Sequence, residues 1–267
     1  MTRFLNPFKS SIVVLALCGL VLMIAPVATF LWRSIEARDA INRPETRDIL
    51  GDALKLSLWS SGISLLIIIA LGTPLAYVLA RYRNRVTRII DPLIDLPIIL
   101  PPAVAGIALL TAFGRRGMFG SWLESAGISV GFSTTAVILA QSFVSAPFFV
   151  RTARSGFLRV ERTLEEAAAD LGASPLRVFF LVTLPLCRSS LIAGAVLAWA
   201  RALGEFGATI MFAGNRRGVT QTMPLAIYER FGAGDLDSAL VLSSVLMAIS
   251  VLFLLSVRLL GESDVPR

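Results

Sequence analysis

Residues 162–185 read RTLEEAAADLGASPLRVFFLVTLP, and this stretch is unlike the long apolar runs on either side of it. The run from Leu164 to Leu171 consists of strong helix formers, and Gly172 suits the C-terminal cap of a helix. Ser174 and Pro175 can begin a second helix. The stretch therefore predicts two short helices set at an angle around Gly172. Its small alanine side chains would let the first helix lie close in a groove of another surface.

Apolar runs of membrane-spanning length surround this stretch. Hydrophobic residues make up 55% of the 267 residues and the mean hydropathy is +0.76, above the roughly 45–50% apolar content of soluble domains. Five runs carry no charged residue, and a sixth contains only Arg201 and Glu205. About 20 apolar residues in a helix cross the bilayer core. The sequence predicts six transmembrane helices, over residues 11–32, 54–80, 92–113, 134–150, 189–213 and 238–260.

The predicted fold is an all-α integral membrane protein in which residues 1–267 form a single transmembrane domain. Lys and Arg are more numerous in the termini and in the loops 81–91 and 151–188 than in the opposite loops. This bias favours placing both termini and these two loops in the cytoplasm. The first apolar run is longer than the core of a signal peptide, so we interpret it as a membrane span. The formal net charge of +7 then follows from topology, and we expect no nucleic-acid partner.

The third predicted helix is rich in proline. Pro92, Pro97, Pro101 and Pro102 fall within its first dozen residues, and each removes a backbone donor and clashes with the preceding turn. The helix must therefore be kinked or broken near its cytoplasmic end. Broken helices persist in membranes only where protein or a water-filled path surrounds them. Two interpretations stay open, a wall of a transport pathway and a kinked packing helix.

Two charged residues lie inside the fifth predicted helix. Arg201 and Glu205 are four residues apart and therefore share one helix face. Ionisable groups at this depth usually face a partner or a water path. They either line or gate an oxyanion path, or pair with each other or with Asp95 to hold the fifth helix against the third. The candidate pathway and gate residues are Pro97, Pro101, Pro102, Arg201, Glu205 and Thr209.

The sequence lacks residues and motifs that several kinds of chemistry require. The chain contains no histidine and only two cysteines, Cys18 and Cys187, so we expect no metal site and no disulfide framework. No phosphate-binding G-x-x-x-x-G-K-[ST] motif occurs. We therefore expect no enzyme activity and no cofactor on this chain. ATP and Mg would have to bind to another chain.

The stretch 162–185 also resembles a known loop. Glu166-Ala167-Ala168, Gly172, Val182 with nine residues between it and Gly172, and Leu184-Pro185 match the spacing E-A-A-x3-G-x9-I-x-L-P of the EAA loop of bacterial ABC-importer permeases. Val182 in place of isoleucine is a conservative change. The resemblance implies that 151–188 is a cytoplasmic coupling loop that docks in a cleft of the ATPase subunit. The implied coupling residues are Glu165, Glu166, Ala167, Ala168, Asp170, Gly172, Leu184 and Pro185.

A second resemblance covers roughly residues 50–260. The runs 95–110, 200–215 and 220–228 are similar to segments of molybdate permeases, although sulfate permeases share the Arg-x-x-Gly-Glu-aromatic-Gly part. The resemblance implies a homodimer in a bacterial or archaeal cell (inner) membrane, two ATPase subunits and an external molybdate-binding protein, with tungstate accepted as well. The alternatives are a sulfate or thiosulfate permease and, from other classes, a secondary anion transporter or a membrane scaffold.

Overall fold

The structure is a computed structural model that describes residues 7–82 and 84–262. Side chains are described for residues 11–82 and 84–256, and throughout this part the chain is helical, with connecting loops and no β-strand. Arg3, Arg83 and Arg267, which contributed to the predicted topology, lie outside the described residues, and so do the side chains of Lys9 and Arg258.

Fourteen α-helices, one 3₁₀ helix and one π-helical turn make up the described part. The 3₁₀ helix spans Ala37–Asn42 and the π turn spans Phe179–Thr183. The α-helices are α1 (Pro7–Glu36), α2 (Pro44–Arg81), α3 (Arg85–Leu93), α4 (Leu96–Ile99), α5 (Pro102–Phe113), α6 (Gly120–Ser125), α7 (Thr134–Arg159), α8 (Arg162–Asp170), α9 (Pro175–Val178), α10 (Leu184–Leu186), α11 (Arg188–Leu203), α12 (Gly207–Ala213), α13 (Met223–Gly232) and α14 (Leu236–Glu262).

Four of the described helices, α1, α2, α7 and α14, are long and apolar enough to cross a bilayer by themselves. Two bent pairs reach that length together, which gives up to six spans. In the first pair, α3–α4 meets α5 at 116°, and in the second, α9–α10 meets α11 at 71°. The first bend coincides with the proline cluster, as expected from the loss of backbone donors. The architecture is that of an all-α integral membrane protein.

The fifth predicted helix differs from its prediction as one continuous helix. Residues 189–213 form α11 and α12, separated by Gly204, Glu205 and Phe206. The carboxylate of Glu205 accepts a hydrogen bond from the amide of Ala208 at 2.8 Å, so it caps the start of α12. Glu205, which the sequence analysis placed on a helix face, therefore lies in the interruption and caps the helix that follows it.

Helix α7 lies at the centre of the bundle, packed against α2 and α11 and largely buried. Small residues allow the close approach. A Cβ atom at Gly72 would lie 2.8 Å from the Phe149 ring, and one at Gly156 would lie 2.4 Å from Cβ of Ser190. Helix packing in membranes depends on such contacts because lipid is as apolar as the side chains. By contrast, no residue in the apolar window of α1 is buried.

A row of buried serines runs along α2, comprising Ser57, Ser60, Ser61 and Ser64. The hydroxyl of Ser64 donates to the carbonyl of Ile138 at 3.0 Å and to Gln141 Oε1 at 3.2 Å, both on α7. The hydroxyl of Ser57 accepts the amide of Met223, the first residue of α13, at 2.7 Å. Through these bonds α2 is joined to α7 and to the loop that precedes α13.

The bundle has two ends. The end at which α8, α9 and α10 lie is called here the loop side, and the other end the opposite side. On the opposite side, Arg43 pairs with Asp235 at 3.0 Å and with Asp237 at 3.3 Å. Hydrogen bonds from Ser238 hold the pKa of the Asp235 carboxyl below its ordinary value, with burial opposing them. Because the folded-state pKa is lowered, this carboxylate stabilises the fold at neutral pH, and its contribution is lost as the pH falls through that pKa.

The contact between α7 and α11 predicts the effect of a single methyl group. Gly156→Ala would force Cβ to within 2.4 Å of Ser190 and 3.0 Å of Cys187 Sγ. We expect it to lower the stability by about 1–3 kcal/mol, the usual range for overpacking. Thermal unfolding of the detergent-solubilised protein measures this as a lower Tm.

Gly62→Ala on α2 is the matched control, because a Cβ there meets nothing within 4 Å. Alanine in a helix interior stabilises by about 0.5–1 kcal/mol relative to glycine, so its Tm should be equal or higher. Equal Tm values for the two variants would contradict the close α7–α11 packing.

Candidate functional site

Helix α8 stands clear of the helix bundle. It contains no buried residue, and its Glu166, Ala167 and Asp170 side chains are exposed. Gly172 ends the helix with φ +86°, a left-handed conformation that glycine adopts without strain. The chain then turns into α9, as the sequence predicts for two short helices around this glycine.

Apolar side chains cover the outer surface of the same segment. Leu171 is 90% exposed, and Leu176 and Leu181 are also mostly exposed. Leu184 is half-buried and Pro185 is exposed in α10. Large exposed apolar side chains mark a contact with another molecule or with lipid. Most of the predicted coupling residues thus lie on the projecting segment, called here the knob, whereas Leu184 packs against the hydrophobic core of the bundle and Glu165 points back toward the bundle.

Glu165 is held by two groups that the sequence analysis did not single out. Its Oε1 accepts from Arg81 Nη2 at 2.8 Å and from the hydroxyl of Thr183 at 2.7 Å. Arg81 ends α2, and Thr183 ends the π turn. The one signal in the sequence is the position of Arg81 at the boundary between an apolar helix and a basic turn, and it gives no indication of the partner.

A first charge cluster joins the proline-broken segment to α7. Arg151 bonds Asp95 through Nε at 2.8 Å and also pairs with Asp91, and Arg154 Nη1 bonds Asp91 at 2.7 Å. Arg151 Nη2 also donates to the carbonyl of Asp91 at 2.6 Å. The amide of Asp95, which would bond that carbonyl in an unbroken helix, bonds Pro92 at 3.1 Å. Arg151 therefore satisfies a carbonyl that the break releases.

The second charge cluster is the pair inside the predicted fifth helix. Arg201 Nη1 lies 2.6 Å from Glu205 Oε2, and the Glu205 side chain is 1% exposed. Of the two structural pairings that the sequence left open, the structure shows this one. Pairing with Asp95 is wrong, because Asp95 is engaged by Arg151. Both clusters balance positive with negative charge, which lowers the free energy of placing ionised groups in the helix bundle.

A small cavity of about 110 Å³ adjoins the second cluster. Pro97, Pro102 and Arg201 line it together with Phe148, so three of the predicted pathway residues meet in space. The backbone comes close here, since a Cβ at Gly207 would lie 2.4 Å from Cβ of Pro102. The other candidates lie elsewhere. Pro101 is exposed at the start of α5, and Thr209 is buried, with no acceptor for its hydroxyl among the described residues.

The site contains positioning groups and charge pairs. Among the described residues, no group of His, Cys, Asp or Glu side chains could hold a metal ion. The exposed knob can bind another protein. The first charge cluster can hold the chain where α3 gives way to α4, and the second can hold it where α11 gives way to α12.

These helices, the two bent spans and the projecting loop define a membrane permease. Residues 72–263 match the family of binding-protein-dependent transport system inner membrane components, and the chain belongs to this family.

Proteins similar in sequence to this chain include permeases of molybdenum and of sulfate transport systems. The molybdenum transport system permease protein ModB of Mycobacterium tuberculosis (strain ATCC 25618 / H37Rv) is 50% identical over 205 residues, covering 77% of this chain and 77% of that protein. The sulfate transport system permease protein CysT of Escherichia coli (strain K12) is 37% identical over 208 residues, covering 78% and 75%. The chain is thus more similar to this molybdenum permease than to this sulfate permease.

A solved structure shares the fold. A bacterial alginate ABC transporter in complex with an alginate pentasaccharide-bound periplasmic protein contains a chain that matches with a TM-score of 0.72 and 15% identity, over 94% of this chain and 92% of that one. At this identity the likeness concerns the fold alone.

The pair Arg201–Glu205 predicts an asymmetric effect of mutation. Arg201→Ala leaves the carboxylate of Glu205 buried without its cation, which is strongly destabilising for fully buried pairs. Since Arg201 is about a third exposed, we expect a smaller loss of about 2 kcal/mol. A lower Tm and a lower yield of assembled protein would show it.

The double variant Arg201→Ala with Glu205→Gln is the control. The glutamine keeps an oxygen for the Ala208 amide and removes the buried charge, so part of the stability should return. If Arg201→Ala assembles normally and only transport is lost, the pair acts in the pathway rather than in the scaffold.

Proposed function

We propose that this chain is the transmembrane subunit of an ATP-driven importer that brings molybdate, and tungstate as well, into the cytoplasm. The observation that carries the choice of anion is the 50% identity to a molybdenum permease, against 37% to a sulfate permease. The projecting knob of α8 and α9, with its exposed apolar surface, supports an ATP-driven rather than a secondary mechanism. A secondary transporter needs no such docking surface.

The proposed assembly contains two copies of this chain, two ATPase subunits and an external molybdate-binding protein, surrounded by membrane lipid. Support for the receptor comes from the alginate transporter, whose structure includes a periplasmic protein. The second copy is what the resemblance to molybdate permeases implies. ATP and Mg bind to the ATPase, and this chain contributes no catalytic group.

The loop side is proposed to face the cytoplasm, together with both termini, in the inner membrane of a bacterium or an archaeon. The excess of Lys and Arg in the loops of that side supports this orientation. Glu166 and Asp170 are exposed on α8, so they are available to the ATPase. Glu165 faces the bundle instead, where it binds Arg81 and Thr183 and holds α8 in place.

In the proposed mechanism, closure of the two ATPase subunits moves the knobs together and switches the bundle between inward-facing and outward-facing states. Each ligand shifts the balance because it binds one of the two states more tightly. The receptor delivers the anion to the outward-facing state, and ATP hydrolysis restores the other. Selectivity among oxyanions would reside mainly in the receptor, since the charge clusters of this chain are already paired.

Arg201 is proposed to act first as part of the scaffold, because it pairs with the carboxylate that caps α12. It also lines the cavity beside Pro97 and Pro102. A guanidinium there would partly offset the charge of a dianion that passes. A stronger anion trap at this point would slow release.

The substrate is tested by uptake into vesicles that contain the whole importer. We expect ATP-dependent uptake of labelled molybdate, blocked by excess tungstate and unaffected by excess sulfate. Vesicles without ATP, and vesicles with a hydrolysis-deficient ATPase, are the controls. Uptake of sulfate without uptake of molybdate would leave the importer class intact and reject the anion assigned here.

The turn at Gly172 tests the coupling role of the loop. Gly172→Pro cannot adopt φ +86°, since proline holds φ near −65°, and the change removes the bond from the Gly172 amide to Ala169 at 2.9 Å. We expect ATP hydrolysis to continue while uptake falls about tenfold or more, with normal insertion of the chain. Glu166→Pro within α8 should act in the same way.

Gly172→Asn is the matched control because asparagine tolerates left-handed conformations better than other residues. It should retain most uptake. Full uptake by both proline variants would reject the coupling assignment.

A further inference from the structure

The position of α8 is not explained by apolar packing. The helix has no buried residue, and a cleft of about 450 Å³ separates part of it from the end of α2, lined by Tyr77, Arg81, Glu165 and Ala169 among others. Its apolar side chains stay partly or fully exposed, so α8 gains little from the hydrophobic effect. Whatever holds α8 at its angle to the bundle must therefore be polar and local.

The polar contacts of α8 converge on the last residue of α2. Arg81 Nη2 donates to Glu165 Oε1 at 2.8 Å and to the carbonyl of Val160 at 3.2 Å. The carbonyl of Arg81 accepts from Arg162 Nη2 at 2.8 Å. From the other side, the hydroxyl of Thr183 donates to the same oxygen of Glu165 at 2.7 Å. One carboxylate oxygen thus joins α8 to both α2 and the π turn.

These three groups are shielded from solvent. The side chains of Arg81 and Glu165 are 9% and 15% exposed, and Thr183 is fully buried. Salt and water screen such a pair much less than a surface pair. Loss of one partner leaves the other buried and unsatisfied, which is why a pair of this kind holds its geometry firmly.

Helix α2 extends from this anchor to the opposite side. Its 38 residues correspond to about 57 Å of helix, and its far half carries the bond from Ser57 to Met223. Arg217 reaches back to Asp52 near the start of α2 at 3.1 Å. Helix α2, which contains Pro74, therefore connects the anchor of α8 at one end to loops at the other end.

We propose that Arg81 and Thr183 are positioning residues of the coupling mechanism, which hold α8 on the end of α2 through Glu165 and deliver its movement to that helix. This inference rests on the proposed role of the loop in coupling to an ATPase. It assigns different roles to the adjacent residues Glu165 and Glu166. Glu165 faces inward and fastens the knob, and Glu166 faces outward toward the partner.

The first test measures the anchor without any transported anion. Hydrogen–deuterium exchange of residues 162–171 is followed in the purified full chain in lipid nanodiscs. We expect Thr183→Val, which removes one donor and keeps the side-chain shape, to speed exchange of this segment by roughly tenfold, the scale of one charge-assisted hydrogen bond. Arg81→Gln should have a larger effect. Unchanged exchange in the valine variant would overturn the proposal, even if Arg81→Gln failed to fold.

Matched controls are Thr163→Val and Arg88→Gln, since both residues are exposed on the same side of the molecule. Their exchange should equal that of the wild type. If the three groups form one network, the double variant Arg81→Gln with Thr183→Val should exchange no faster than Arg81→Gln alone. Additive effects would mean that Arg81 and Thr183 act separately, against the proposal.

The second test measures coupling in the reconstituted importer, as the number of anions imported per ATP hydrolysed. We expect this ratio to fall about tenfold in Thr183→Val with normal assembly and normal ATP hydrolysis, and to return in Thr183→Ser, which restores the hydroxyl. A ratio equal to that of the wild type would overturn the proposal. A wild-type complex that imports neither molybdate nor sulfate would instead reject the proposed function, and the exchange measurement would still decide on the anchor.

Discussion

Within a bilayer, a backbone amide or carbonyl has no water to bind and must find its partner inside the protein. At two places where a helix of this permease is interrupted, charged side chains meet that constraint. Between α3 and α4 the carbonyl of Asp91 loses its helical partner, and Arg151 binds it. Between α11 and α12 the first amides of α12 are exposed, and the carboxylate of Glu205 caps one of them. At both interruptions an ionised residue binds a backbone group that the helix no longer satisfies.

Ionised residues in turn require counter-charges, and this need organises the interior. Arg151 and Arg154 neutralise Asp91 and Asp95, and Arg201 neutralises Glu205. Each cluster lies where the chain leaves helical geometry. The same charged side chains therefore bind the free backbone groups and neutralise one another. The charge pairs thus hold the interrupted helices in place beside the small cavity lined by Pro97, Pro102 and Arg201. A transport pathway is proposed there.

The same kind of interaction operates outside the apolar region. Helix α8 presents an exposed surface, as the proposed docking role requires, and it has no buried residue that could hold it. A shielded ion pair with Arg81 and a hydrogen bond from Thr183 take the place of packing. The proposed docking surface and its anchor thus lie on different faces of one short helix.

The sequence by itself determined the all-helical membrane fold, the break in the third predicted helix and the turn at Gly172, because hydropathy, proline geometry and glycine propensity act locally. It also placed Arg201 and Glu205 on one helix face, and their mutual pairing was one of the interpretations left open. Only the tertiary structure decided that Asp95 binds Arg151, that Glu205 caps the helix that follows it, and that Glu165 joins Arg81 to Thr183. Asp95 and Glu165 have arginine partners distant in the chain, at separations of up to 84 residues. The choice among many arginines depends on which helices pack together, and local patterns do not carry that information.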